Sequence, residues 1–366
     1  HHAVGSEGDR CVACHMPTTR FANMRRSDHS MRPPMPAASL AFGSPNACNL
    51  CHEDQDIAWA QQHVADWYGK EYQGETLRLG SLIQEARDGD WTRLDEMLEY
   101  VSSPERAEVF GASLVRLLRT CAQPKKWAVL RGLVRQDPSP FVRAQAAVAL
   151  GDALSRPGLD ALLGAVKDPY RLVRIRAAAA LAPIDPERLE EDQGEALRKA
   201  SEEFLAAMSA RPDDFSSHYN LGVYLAGRGE FDKAVEAYEQ SARLRPDAVG
   251  PLVNAALTYN TLGKAEEAER CLNRAIKAAP ENATAYVNLG LLLGEQGRLD
   301  EAAQAYETAL QLDDTQAVAA YNLGVIRGRQ GQPQAAVRYC RKACQLRPDN
   351  GDYAKTLAYY TQSLSE

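Results

Sequence analysis

From Leu77 onward, apolar residues recur at helical spacing, Ala and Leu dominate, and Gly and Pro interrupt the pattern at regular intervals. Runs of Val, Ile and Thr that would suit strands are nearly absent, so the pattern predicts an all-α protein whose helices pack on one another. Residues 1–70 have a different texture, with clustered His, Met, Pro and Cys and little amphipathic periodicity before Asp56. The run Arg32-Pro33-Pro34-Met35-Pro36 excludes helix, because each proline removes an N–H and restricts the residue before it. Helix is predicted again over about Asp56 to Tyr68, with Gly69 as its stop.

Two internal repeats organise the rest. Asp137-Pro138 recurs as Asp168-Pro169, Val142-Arg143 as Val173-Arg174, Ala147 as Ala178 and Leu150 as Leu181, all at one constant offset. A helix pair with such a stripe cannot bury it alone, so neighbours must stack, and the segment resembles short HEAT-like repeats. Pro104–Thr120 and Pro124–Gln136 fit the same architecture without its signature. Further on, Asn220, Asn254, Asn288 and Asn322 are evenly spaced, and the same interval separates Gly222, Ala256, Gly290 and Gly324, and Gly229, Gly263, Gly297 and Gly331. That interval resembles the period of the tetratricopeptide repeat, in which a small residue on one helix faces a large one on the next. Tyr238, Leu272, Tyr306 and Cys340 take the large position; Pro246, Pro280 and Pro348 close three repeats, and Asp314 replaces proline in the third. Glu195–Ser209 reads as a degenerate repeat helix and Tyr353–Leu364 as a terminal cap. The expected organisation is 1–70, an irregular segment rich in Cys and His; 71–186, HEAT-like repeats; and 187–366, tetratricopeptide repeats with a capping helix.

With 366 residues the chain is long enough for two or three units, or one long repeat array. Its net charge of −7, with acids and bases interspersed, argues against a nucleic-acid partner. No run of about 18 apolar residues is present to span a membrane. The start lacks a signal-type apolar region and reads as a processed or cropped terminus.

The candidate chemistry lies in Cys11-Val12-Ala13-Cys14-His15 and Cys48-Asn49-Leu50-Cys51-His52. Two thiols about one turn apart can reach two porphyrin vinyl groups, and the histidine that follows is delivered to the iron. Two covalently attached c-type haems are therefore expected, bound through Cys11, Cys14, Cys48 and Cys51, with His15 and His52 as proximal ligands. A redox Cys-x-x-Cys would want a strand-to-helix context. Zinc is the stronger rival, but the segment between Cys14 and Cys48 exceeds the usual knuckle spacing, and zinc gives no reason for His after both pairs. Haem attachment through thioethers takes place after export, so a periplasmic or extracellular location is expected.

For the sixth ligands, His29 in the loop between the motifs is the first candidate. His1 and His2 are further candidates, with a purification tag as the alternative origin of that pair. Met16 adjoins His15 and cannot reach the opposite face of the same iron. His63, which follows His52 on an amphipathic helix, is expected on a solvated face, and His218 in a structural role. Arg20, Arg25, Arg26 and Arg32 suit either haem propionates or an exposed polar loop. Cys121, Cys271, Cys340 and Cys344 read as small apolar core residues rather than disulfide or metal pairs. The Asn220 series suits either a ligand groove or hydrogen bonding between helices.

At Cys-Val-Ala-Cys-His-Met-Pro (11–17), Arg-Arg-Ser-Asp-His-Ser (25–30) and Gly-Ser-Pro-Asn-Ala-Cys-Asn-Leu-Cys-His (43–52), the chain resembles the haem-binding end of multihaem cytochromes related to the cytochrome c554 group that carry C-terminal tetratricopeptide repeats. Further haem motifs usually precede this region in that family, so the resemblance covers its later portion. It implies electron transfer in the periplasm or outside the cell, bis-His haem, and His29 and the His1-His2 pair as distal ligands, without assigning each His to an iron. The leading expectation is an electron carrier whose repeats dock a redox protein or neighbouring subunits, a homo-oligomer or filament included. The alternatives are a haem enzyme acting on a small nitrogen oxide or peroxide, if one iron lacks a sixth ligand, and a repeat scaffold in which haem is structural.

Overall fold

The computed structural model describes residues 2–21, 24–27, 33–69 and 71–364. These form twenty α-helices and one antiparallel hairpin. The chain divides into two compact units, His1–Ala177 and Ala178–Glu366.

The first unit opens with α1 (Cys11–His15), β1 (Thr18–Phe21), β2 (Met24–Ser27), α2 (Pro36–Phe42) and α3 (Ile57–Tyr68). The short hairpin is a local addition to the helical architecture that the pattern predicts. Pro17 cannot extend α1, and Thr18, Thr19 and Phe21 are good strand formers; Thr18 pairs with Ser27 and Phe21 with Met24. The third helix begins and ends as its sequence predicts. Its N-cap Asp56 accepts the Trp59 N–H at 2.7 Å, and Gly69 closes it at φ 85°. Ala60 and Val64 bury one stripe of α3. Trp59, His63 and Trp67, spaced by four, form the neighbouring stripe.

Helices α4 (Gly74–Asp88), α5 (Leu94–Ser102), α6 (Glu108–Leu117), α7 (Lys126–Gln136), α8 (Pro140–Gly151), α9 (Arg156–Ala165) and α10 (Arg171–Ala180) follow. They anchor the irregular segment in two places. The Phe42 ring of α2 lies on Gly80 of α4, where an added Cβ would meet it at 2.5 Å. The Pro34 carbonyl accepts from Tyr72 Oη at 2.9 Å and Gln73 Nε2 at 3.1 Å, which straps the proline run to the start of α4. Leu82, Leu94, Leu114, Leu130, Val142, Leu150 and Leu162 fill the helical core.

The second unit contains α11 (Glu191–Ser209) and then α12 (Phe215–Gly227), α13 (Phe231–Leu244), α14 (Val249–Thr261), α15 (Ala265–Ala278), α16 (Ala283–Glu295), α17 (Leu299–Leu312), α18 (Ala317–Arg329), α19 (Pro333–Leu346) and α20 (Gly351–Gln362). From α12 to α19 these are antiparallel pairs, and α20 packs on α19. Gly229, Gly263, Gly297 and Gly331 turn each pair with φ between 71° and 77°, a conformation costly for other residues. The small-to-large rule holds closely. A Cβ on Gly222 would lie 2.6 Å from the Tyr238 ring, and one on Gly290 2.6 Å from Tyr306. In the third repeat the turn is closed by Asp313, whose carboxylate accepts from Thr315 N at 3.0 Å and Gln316 Nε2 at 2.6 Å. Among the described residues no helix is long and apolar enough to cross a membrane.

Candidate functional site

The two Cys-x-x-Cys-His motifs are presented differently. Cys11, Cys14 and His15 sit on the single turn of α1. Cys48 opens a 3₁₀ turn, in which Cys51 N and His52 N both donate to the Cys48 carbonyl, at 3.2 and 3.0 Å. Two asparagines pin that turn. Asn46 Oδ1 accepts from Cys48 N at 3.1 Å, and Asn49 Nδ2 donates to the carbonyls of His52 at 3.2 Å and Gln55 at 2.7 Å. Their roles escape a motif reading, although Pro-Asn ahead of the cysteine carries a turn signal.

All six motif residues line one cavity of about 590 Å³. Pro33, Pro34 and Tyr72 form part of its wall, as do Trp59, His63 and Trp67 from the second stripe of α3. His2 enters from the chain start, and its Nε2 faces His52 Nε2 at 3.3 Å. The two imidazoles have centroids 5.6 Å apart and planes inclined by 28°. Gly8 leaves the room for this, since a Cβ there would lie 2.6 Å from the His2 ring. Behind His52 the rings continue: Trp59 at 4.7 Å, His63 at 4.4 Å from Trp59, and Trp67 at 6.2 Å from His63. His63 Nδ1 bonds the Trp59 carbonyl at 3.0 Å.

Burial, and then the neighbouring Cys51 and Cys11 thiols, push the Cys14 thiol up. Burial and the Cys14 thiol do the same at Cys48. Burial is the larger cause at both groups, and each lies near a cysteine of the other motif. Burial chiefly, and then Cys48, pushes Tyr72 up to about 12.

The donor set fits a c-type haem. Thiols and two opposed imidazoles line a largely apolar cavity with aromatic walls, the surroundings a porphyrin requires. Two metal–imidazole bonds of roughly 2 Å each would span about 4 Å, so the His2 and His52 nitrogens stand less than about 1 Å short of that span. Zinc is less well served: among the described residues no three His, Cys, Asp or Glu side chains converge on one metal position.

Of the candidate ligands, the structure brings His2 to His52, while His1 and His29 lie outside the described residues, as do Arg32 and the side chains of Arg20, Arg25 and Arg26. His63 corrects its expectation, being half-buried against the cavity rather than solvated. The surface opposite it is a cavity, not protein. Met16 is half-buried beside His15. His218 bonds the Pro212 carbonyl through Nε2 at 2.9 Å within the repeats. Cys121, Cys271 and Cys340 are buried and Cys344 half-buried. Asn288 and Asn322 donate to carbonyls of their own helices, and Asn254 Nδ2 to Tyr219 Oη at 3.2 Å.

Comparison with known proteins agrees with both halves of the chain. Residues 2–87 match the Cytochrome c552 family, which implies covalently bound c-type haem and supports electron transfer. Residues 98–182 match HEAT repeats, and residues 215–248, 253–317 and 317–350 match tetratricopeptide repeats, modules associated with protein–protein interaction. The cytochrome match is to the c552 family, and the narrower kinship with the c554 group rests on the motifs alone. No curated protein sequence matches the chain. Among solved structures, MamA is similar at 21% identity, covering 44% of this chain and 96% of its own, with a TM-score of 0.38. A MamA fragment from Desulfovibrio magneticus RS-1 has 22% identity, coverage of 48% and 97%, and a TM-score of 0.37. YrrB, described as a tetratricopeptide-repeat protein with an unusual peptide-binding site, has 19% identity, coverage of 56% and 99%, and a TM-score of 0.36.

Proposed function

We propose that the chain is a dihaem electron carrier, one c-type haem on each motif, whose repeats dock a redox partner or a neighbouring subunit outside the cytoplasm. The opposed His2 and His52 nitrogens carry this reading, since together they would hold a haem iron at the second motif and leave it no open position. A haem held there supplies one-electron transfer.

The chain's own residues do the rest. The Cys11, Cys14, Cys48 and Cys51 thiols would form the thioethers, and His15 and His52 would hold the irons from the proximal side. His2 would be distal to the second motif, occupying the position that a nitrogen oxide or peroxide would need, which favours carrier over enzyme. His29 stays the candidate for the first motif, and His1 a candidate beside His2. The aromatic walls and the proline strap would give a haem apolar surroundings. The organisation 1–70, 71–186 and 187–366 follows the same reading, with the haem segment presented by the helices it packs against. Docking is supported by Val223 and Leu257, a repeat apart and 45% and 48% exposed.

The test is a His2→Ala variant of the haem-loaded chain. Mass spectrometry should find two haems on both proteins. Carbon monoxide should leave the reduced native protein's spectrum unchanged and bind one haem of the variant. Rapid binding to the native second-motif haem, or a single attached haem, would overturn the proposal.

A further inference from the structure

The geometry points to Trp59 as the positioning residue that sets the plane of the His52 imidazole; this rests on the reading of His2 and His52 as an axial pair. A metal-bound histidine is usually oriented by a hydrogen bond from its other ring nitrogen. His52 lacks that device: among the described residues, its ring is engaged by His2 through Nε2 and otherwise by the Trp59 indole, at 4.7 Å and 49°. Ring packing is the lever that remains.

Trp59 is itself held well enough to act as a brace. Its backbone N–H is capped by Asp56, which fixes the first turn of α3. Its indole carries the His63 ring on it at 4.4 Å, and that ring is pinned by the bond from Nδ1 to the Trp59 carbonyl, one turn back on the same helix. Trp67 stands edge-on behind His63 at 6.2 Å. Side chains at i, i+4 and i+8 thus form a ladder of rings, with His52 as its free end.

What the brace fixes is the angle of 28° between the His2 and His52 planes. Two axial imidazoles near parallel donate π density into the same iron d orbital and split it from its partner. Crossed planes leave the pair nearly degenerate. The first arrangement gives a rhombic low-spin electron paramagnetic resonance signal, the second a highly anisotropic one, so the ring angle is readable in the oxidised protein.

The experiment compares oxidised, haem-loaded native chain with Trp59→Leu, Trp59→Phe and His63→Leu. His2→Ala identifies which signal belongs to the His52 haem, and its failure to alter any signal would sink the underlying axial pairing instead. With that signal assigned, the native protein should show the rhombic form. Trp59→Leu should shift it toward greater anisotropy or broaden it while both haems stay attached and closed to carbon monoxide. Trp59→Phe, which keeps a ring on His52, should restore the native signal. If Trp59→Leu does not load haem, His63→Leu decides, because it loosens the indole without touching His52. A native-like signal in Trp59→Leu, or in His63→Leu when that variant decides, overturns the assignment.

Discussion

The space beside Gly8 decides whether His2 reaches His52. An alanine there places a methyl 2.6 Å from the imidazole, far inside contact distance, so the ring must leave. Gly8→Ala should behave like loss of His2: reduced haem at the second motif becomes open to carbon monoxide, while helical circular dichroism is unchanged. A closed haem in that variant would mean that His2 is held by other means. In the repeats, burial drives the Tyr238 phenol up to about 12, against about 10 in an unfolded chain. Below pH 10 both states keep the proton, and stability is unaffected. Above it the unfolded chain ionises while the folded one does not, so folding weakens by roughly 1.4 kcal/mol per pH unit up to about 12. Melting temperature should fall across that window, and less steeply in Tyr238→Phe. Equal slopes would contradict the burial.

At the scale of elements, the repeat of Asp-Pro turns acquires a reason that the sequence does not display. Arg106, ahead of α6, is bound to the carboxylate of Asp137, ahead of α8, with both side chains almost fully buried. Arg143 repeats the connection with Asp168 at 2.7 Å. Each arginine of the Val-Arg pair also donates back to its own Asp-Pro turn: Arg143 Nη1 to the Asp137 carbonyl at 2.7 Å, and Arg174 Nη1 to that of Asp168 at 2.8 Å. Spacing exposes the period, but pairing across repeats is tertiary and leaves no trace in it. Asp137→Ala would strand Arg106 without its carboxylate, at a cost of roughly 3–5 kcal/mol. Urea unfolding should show a lowered midpoint. Asp95→Ala, which removes an exposed partner of Lys125, should leave the midpoint in place. Matching losses in the two variants would refute the distinction.

Across the whole molecule, what could be read in advance depended on whether protein covers protein. The tetratricopeptide register was legible because Gly222 with Tyr238 and Gly290 with Tyr306 are contacts between successive helices of one chain. The two Cys-x-x-Cys-His motifs were legible as one group from their spacing alone, and all six of their Cys and His residues line one cavity. His63 was misleading for the converse reason, as its side of the helix faces a cavity rather than protein. The hairpin escaped notice because it is a short local pairing with no repeat to announce it.

The same distinction bears on docking. Val223 and Leu257, exposed and one repeat apart, are joined in register by Leu291 and Val325, both half-buried. Four apolar side chains at one repeat position, on the helices that also carry the Asn220 series, make a column that no part of the second unit covers fully. Scattered exposed apolar residues need no explanation, whereas apolar residues recurring in register are where the docking proposed above would fall. Val223→Glu combined with Leu257→Glu should therefore weaken the proposed association, read by sedimentation of the haem-loaded chain with itself and by co-purification with a candidate redox protein. Both haem spectra should be indistinguishable from the native ones, since the substitutions lie far along the chain from the Cys-x-x-Cys-His motifs. Undiminished association in both assays would remove this face from the docking role and leave the haem segment itself as the place where partners meet.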